Sequence, residues 1–250
     1  MHSIIPIKTE ADLRKMRHAA LILQQALQAV EAAIHPGVST LELDQLVESL
    51  IVSKGAIPGF KGYNGFPASI CASVNEEVVH GIPSANCILA DGDIVGVDCG
   101  VYYDGFHTDA CRTFLVGDPL PEVRHFVKIT KKALDNAVKV IRHGAHVGDI
   151  SAVIQKTIED QGYSPVVECT GHGVGRDLHE PPEILNAGRK GTGPMLQAGM
   201  VLAVEPISTM GNGDVETLED GWTVVSADGT PSAHFEHTIL VTKNGSEILV

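Results

Sequence analysis

The chain is short of aromatic residues, of positive charge and of paired cysteines, and each shortage removes a class of function. Phe, Trp and Tyr make up 4% of the sequence, with a single Trp. Lys and Arg number 18 against 31 Asp and Glu, giving a net charge of −13. A polyanion is repelled by that average field, so nucleic-acid binding is not expected. The small basic stretch Arg14–His18 reads as a solvated helix face. The five cysteines (Cys71, Cys87, Cys99, Cys111 and Cys169) are odd in number and lack Cys-x-x-Cys spacing. That argues against a zinc ribbon or a secreted disulfide scaffold and fits reduced thiols in the cytoplasm. No apolar run is long enough to span a bilayer, so no membrane association is expected. Met1–Ala20 carries Lys8, Glu10, Asp12, Arg14, Lys15 and Arg17 where a secretory signal would be apolar. What remains is an ordinary globular chain of 250 residues, 44% hydrophobic and 20% charged, with no linker or low-complexity segment.

The first positive signal is an internal repeat. Val30–Pro58 aligns without gaps on Ala137–Pro165, an offset of 107 residues. Ile34 falls on Ile141, Gly37 on Gly144, Leu43 on Ile150, Val47 on Ile154, Ile51 on Ile158, Gly55 on Gly162 and Pro58 on Pro165. Each copy reads as a helix ending at a glycine, a second amphipathic helix, then Gly and Pro. Strand-like stretches follow both copies. The expected architecture is α+β: one domain over residues 1–250, in two similar halves of about 1–120 and 121–250. A mostly antiparallel sheet would carry two helix pairs on its outer face and a site on the other, near the seam.

The second signal is a set of acids in apolar surroundings. Asp98 ends Asp93–Val97, Glu205 ends Met200–Val204, and Glu236 lies within His234–Leu240. A carboxylate inside an apolar strand is costly unless it is paired, protonated or bound to a metal. Asp104-Gly105 between two β-rich runs is a hairpin signal. With those two residues as the loop, Asp98 faces Cys111 and Asp109 faces Gly100, which makes the two aspartates diagonal neighbours on one sheet face. Arg112 and Cys99 have the opposite parity, and Cys99 reads as packing. Asp109 as a turn cap and Glu236 as a solvent-facing strand residue are the ordinary alternatives. Together Asp98, Asp109, Glu205 and Glu236 carry a charge that two divalent cations would balance, with His172, between Gly171 and Gly173, as the single nitrogen ligand. Oxygen-dominated ligation favours Mn(II), Fe(II) or Co(II) over a thiolate zinc site. A dinuclear site of that kind activates water for hydrolysis.

Other motifs fail. Gly171–Gly175 lacks the full Gly-x-Gly-x-x-Gly spacing in a βαβ frame. His179-Glu180 is not His-Glu-x-x-His, and Ser69, Ser73 and Ser226 sit in no Gly-x-Ser-x-Gly elbow. His2, His18, His35, His125, His143 and His146 read as surface residues.

Taken together, Asn75–Pro83, Asp98 through Asp109, Gly171–Gly175, Val204-Glu205-Pro206 and Phe235–Thr238 resemble the type I methionine aminopeptidases of bacterial character, in peptidase family M24. The resemblance spans nearly the whole chain. It implies the pseudo-twofold "pita-bread" fold and removal of the initiator methionine from new polypeptides with a small second residue. It makes Asp98 a chelating ligand of one metal, Asp109 and Glu236 bridging ligands, and His172 and Glu205 ligands of the other. Glu205 would also shuttle the proton of the attacking water. His80 and His179 would position the scissile amide and stabilise the oxyanion. Phe60, Tyr63, Phe66, Cys71 and Trp222 would line an apolar slot for the methionine thioether. Two divalent ions drawn from cobalt, manganese, iron, zinc or nickel are implied. So is a cytoplasmic monomer that acts on nascent chains with transient ribosome contact.

The 33-residue spacing of His172 and Glu205 leaves no room for the insertion of the type II enzymes. Two positions depart from the family pattern. Leu178 stands where Phe is usual, which affects pocket shape. His234 stands where Gln is usual and is expected to tune the nearby bridging acid. Because His2 is not small, the chain is expected to keep its own Met1. The alternatives are another pita-bread peptidase such as a proline-specific one, an inactive binding module of the same fold, and a purely structural cation site. Retention of all five ligands with His80 and His179 argues against the last two.

Overall fold

The computed structural model describes residues 5–250, and among these four α-helices form the outer layer. Each helix starts at a local signal. α1 (Glu10–Ala33) follows Thr9, whose hydroxyl accepts the Asp12 N–H while the Asp12 carboxylate accepts the Thr9 N–H. α2 (Thr40–Ser53) repeats the device with Ser39 and Glu42. α3 (Pro121–Val140) opens on proline, and α4 (Val147–Glu159) opens with the Asp149 carboxylate on the His146 N–H. Buried Leu13, Met16, Ala20, Leu23, Leu27 and Val30 form one stripe of α1, and Phe126, Val127, Thr130, Ala133, Leu134 and Ala137 form one of α3.

Among the described residues, fifteen strands follow the chain between and after these helices. They are β1 (Ile57–Pro58), β2 (Ile70–Val74), β3 (Glu77–Val79), β4 (Ile94–Tyr103), β5 (Phe106–Leu115), β6 (Ser164–Pro165), β7 (Thr170–Gly173) and β8 (Glu180–Leu185). β9 (Val201–Val204), β10 (Ile207–Thr209), β11 (Val215–Thr217), β12 (Val224–Ser226), β13 (Ser232–His234), β14 (His237–Val241) and β15 (Ser246–Ile248) complete them. All pairings among them are antiparallel. β4 carries β1, β2 and β5, while β15-β14-β9-β7-β8 forms the larger sheet of the second half. Two three-stranded sheets, β13-β10-β6 and β11-β12-β3, complete the strands.

The repeat is visible in the backbone. α2 and α4 begin at the aligned positions Thr40 and Val147, and β1 and β6 occupy aligned residues. Gly37 and Gly144 both turn at positive φ, 100° and 85°, though each preceding helix stops short of its glycine. α1 and α2 cover β4 through a core of Leu23, Leu27, Val30, Leu43, Val47, Val95, Val97 and Cys99. α3 and α4 cover the second half through Phe126, Leu134, Ile150, Ile154, Ile184, Leu202 and Ile239. Helices therefore occupy one side of the strands, and the opposite face is free to carry the site.

One expectation needs refining. His234–Leu240 reads as a single strand, but pairing is interrupted at Phe235-Glu236. β13 pairs with β10 and β14 with β9, so these two residues pass from one sheet to another. Glu236 is placed at that crossing.

Candidate metal centre

The β4–β5 hairpin sets the first two acids. Asp104 and Gly105 take the two left-handed positions of the turn, with φ of 47° and 87°. The register that follows pairs Asp98 with Cys111 and Gly100 with Asp109, as the turn residues require. Cys99 points the other way and is fully buried under the helices. Asp109 is not a turn cap. Its backbone N–H donates to Thr238 Oγ1 at 2.9 Å, and the Thr238 hydroxyl donates back to the Asp109 carbonyl at 2.7 Å. Farther along, the Glu236 N–H donates to the Cys111 carbonyl at 2.9 Å. These bonds stitch β5 of the first half to residues 236–238 of the second and bring Asp109 and Glu236 to one place.

His172 arrives from β7. The neighbouring glycines are needed there: a Cβ on Gly171 would lie 2.6 Å from the Ala203 carbonyl, and one on Gly173 would strike the Pro181 carbonyl. The His172 ring donates from Nδ1 to the Gly173 carbonyl at 2.8 Å, so Nε2 faces the acids. It lies 3.7 Å from Glu205 Oε1 and 3.9 Å from Asp109 Oδ2. Glu205 follows β9, where Pro206 ends the pairing. Asp109, His172 and Glu236 offer ligand atoms that all lie within 4.8 Å of one another.

Burial dominates the electrostatics. Asp109 is 4% exposed and Glu236 2%. Burial, reinforced by the neighbouring acids, pushes both carboxyls well above the usual carboxylate range. Burial likewise moves Asp98 up to about 7 and Glu205 up to about 8. His172 is pushed down to about 4, by burial first and the adjacent His179 second. Four carboxylates thus share a space that none can occupy comfortably as an anion.

Whether a cation suits this space is testable on the protein's own atoms. Asp98 Oδ1, Asp109 Oδ1, Glu236 Oε1 and His234 Nε2 are buried without a hydrogen-bond partner. None of the residues lining the cavity is a Lys or Arg. Unpaired buried carboxylate oxygens with no internal cation fit a divalent ion with oxygen preference.

The acids form one wall of a cavity of about 360 Å³. Phe60, Tyr63, Phe66, Cys71 and Trp222 all line it, as do His80 and His179. The Phe66 and Trp222 rings meet edge to face at 5.2 Å, and Leu178 is packed in the same apolar cluster. Tyr63 Oη lies 2.8 Å from His179 Nδ1, and the His179 and His172 rings are 4.3 Å apart. Burial holds His80 and His179 below the usual imidazole range, so both are neutral at neutral pH. The five acid and histidine ligand candidates, His80, His179, Leu178 and the five slot residues named from the sequence therefore all line this one cavity, while His234 does not.

His234 reaches a different acid from the one its sequence spacing suggests. Its Nε2 lies 3.3 Å from Glu205 Oε2, while its backbone is locked to Thr113 by bonds of 2.8 and 2.9 Å. Cys169, Thr170 and Glu168 also line the cavity and were not foreseen; they precede His172 on the same strand or its approach. Among the other histidines set aside, His18, His35, His125 and His143 are exposed and His146 is half-buried. His2 and Met1 lie outside the described residues.

Comparison with known proteins adds an independent line. Residues 14–243 match the model of metallopeptidase family M24. The chain is 47% identical over 246 residues to the methionine aminopeptidase of Clostridium perfringens, covering 98% of each. Its fold is similar to that of the methionine aminopeptidase of Thermotoga maritima, with a TM-score of 0.97, 44% identity and coverage of 98% and 99%. Similarity to the prolidase of Pyrococcus furiosus is lower: a TM-score of 0.80 and 26% identity, over 97% of this chain but 64% of that one.

Proposed function

The chain belongs to metallopeptidase family M24, and from that premise we propose that it removes the amino-terminal methionine of polypeptides whose second residue is small. It is a metal-dependent aminopeptidase, a hydrolase. The observation that carries the reading is one cavity in which unpartnered buried carboxylates stand against an aromatic pocket.

In this reading Asp98, Asp109, His172, Glu205 and Glu236 would hold two divalent ions. Bound there, such ions would supply a water that ionises near neutral pH and would polarise the peptide carbonyl. The chain's own groups do the rest. Phe60, Tyr63, Phe66, Cys71 and Trp222 take the methionine side chain, whose thioether suits aromatic edges. His179, with Nδ1 accepting from the Tyr63 hydroxyl, presents Nε2–H to the carbonyl oxygen as charge develops on it. His80, neutral and beside Trp222 in the cavity lining, holds the amide. Glu205 takes up the proton lost by the attacking water and passes it to the departing amine nitrogen.

The same reading makes the whole chain one catalytic unit, a cytoplasmic monomer that meets nascent chains with transient contact to the ribosome. No helix among the described residues is long and apolar enough to cross a membrane. Cobalt, manganese, iron, zinc and nickel are the ions to test. The experiment is methionine release from Met-Ala-Ser by metal-stripped protein as each ion is titrated back. Release that depends on metal and is lost in Asp109→Asn supports the reading. No release with any ion, or cleavage of Xaa-Pro peptides instead, contradicts it.

A further inference from the structure

The turn between β7 and β8 carries two residues into the cavity, Leu178 and His179. Its shape is held by a side chain that faces away from the cavity. Glu180 is 8% exposed, and its Oε1 accepts the Arg176 N–H at 2.7 Å and the Asp177 N–H at 3.4 Å. Its Oε2 takes the ammonium of Lys8, which is equally buried. Lys8 belongs to the segment ahead of α1, 172 residues earlier, and is itself pinned by its N–H to the Gly199 carbonyl at 2.8 Å. Gly175 lies directly against the pair, and a Cβ there would collide with Lys8 and crowd Glu180. The Gly175 carbonyl in turn accepts the His107 N–H at 2.7 Å, which fixes the turn to β5.

A buried ion pair is a poor device for stability alone, since desolvating both charges offsets much of their attraction. Its best-attested use is to impose one geometry. Here the geometry imposed belongs to the residue next to Glu180. The His179 ring must meet the Tyr63 hydroxyl at Nδ1 while packing beside His172, contacts that a small displacement of the turn would break. We propose that Lys8, acting through Glu180 and the turn it caps, is a positioning residue for His179. The proposal rests on the function proposed above in its catalytic consequence and on the geometry alone in its structural one.

The test joins two readouts on wild type, Lys8→Met, Lys8→Arg and Glu180→Gln. One is the ring-nitrogen NMR spectrum of His179 in the metal-free protein; the other is steady-state methionine release from Met-Ala-Ser. Wild type should show a single His179 tautomer, with hydrogen on Nε2 and Nδ1 accepting from Tyr63. In Lys8→Met and in Glu180→Gln the two ring-nitrogen shifts should move toward each other. kcat should fall about tenfold with KM within about twofold, because a misplaced donor weakens the reaction more than binding. Lys8→Arg, which keeps the charge, should restore most of both. Either Lys8→Met or Glu180→Gln, folded, with a wild-type His179 spectrum and wild-type kcat overturns the proposal, whatever its thermal stability. A wild-type protein that releases no methionine counts against the function, and the His179 spectrum then decides the positioning role by itself.

Discussion

The molecule buries acids in two kinds of place. Asp44, within α2 and facing the start of β2, is 6% exposed, and its Oδ1 accepts the Ser69 N–H at 2.7 Å and the Ile70 N–H at 3.0 Å. Glu180 has its lysine and two backbone donors. Asp109 and Glu236, buried to a similar degree, each leave an oxygen without a hydrogen-bond partner, and the charged groups acting on them are other acids. The chemistry of the groups is the same, and the difference is who supplies the counter-charge. Where the chain supplies donors the carboxylate shapes backbone, and where it supplies none the site is built for something brought from outside.

That contrast can be broken by substitution, and the largest effect is expected at the unpartnered group. Asp109→Asn should lower methionine release by about 10⁴-fold or more, as loss of one member of a catalytic unit does. It should simultaneously stabilise the metal-free protein, because an isosteric amide removes a carboxyl that must take up a proton to be buried on folding. Denaturant unfolding of the metal-stripped variant checks the sign. At the satisfied group the signs reverse. Asp44→Ala leaves two buried N–H groups without an acceptor and should cost about 2–4 kcal/mol of stability. Its kcat on Met-Ala-Ser should stay within about threefold at temperatures where it is folded.

pH sharpens the same comparison. Burial raises Asp98 to about 7 and Glu205 to about 8 in the metal-free fold, from ordinary values of 3.8 and 4.5. A raised carboxyl pKa means that the folded state holds more protons than the unfolded one across that interval, so stability falls as pH rises through it. Metal-free protein should therefore lose about 5 °C or more of Tm between about pH 4.5 and pH 8. Saturating metal, by replacing those protons, should flatten the slope. The smallest effect is expected at His234, whose ring touches Glu205 yet leaves Nε2 without a hydrogen bond. His234→Gln should keep kcat within about threefold; complete loss would refute a tuning role.

How much of this was legible in the sequence follows from the range of the interactions. The hairpin was readable because Asp104-Gly105 fixes the register, and the register fixes which way Asp98, Cys99 and Asp109 point. The helix pairs were readable because their caps and apolar stripes are local and repeat at one offset. Glu236 was flagged by its apolar neighbours, but periodicity drew a continuous strand through it, because nothing local announces a crossing between two sheets. His80 and His179 could be named only through family resemblance. His80 sits at a φ of 60° just past a short strand, and His179 sits in a turn whose anchor, Lys8, is far away in sequence. The Thr238–Asp109 bonds, 129 residues apart, left no trace in any pattern.

The most direct measurement is the thermal unfolding of metal-stripped wild type and Asp109→Asn at pH 7.5, each with and without Mn(II). If the unpartnered carboxylates are the cation site, wild type should gain about 2.7 kcal/mol at a metal concentration a hundred times Kd, and Asp109→Asn should gain little. Equal gains in the two proteins, or none in either, would contradict the account.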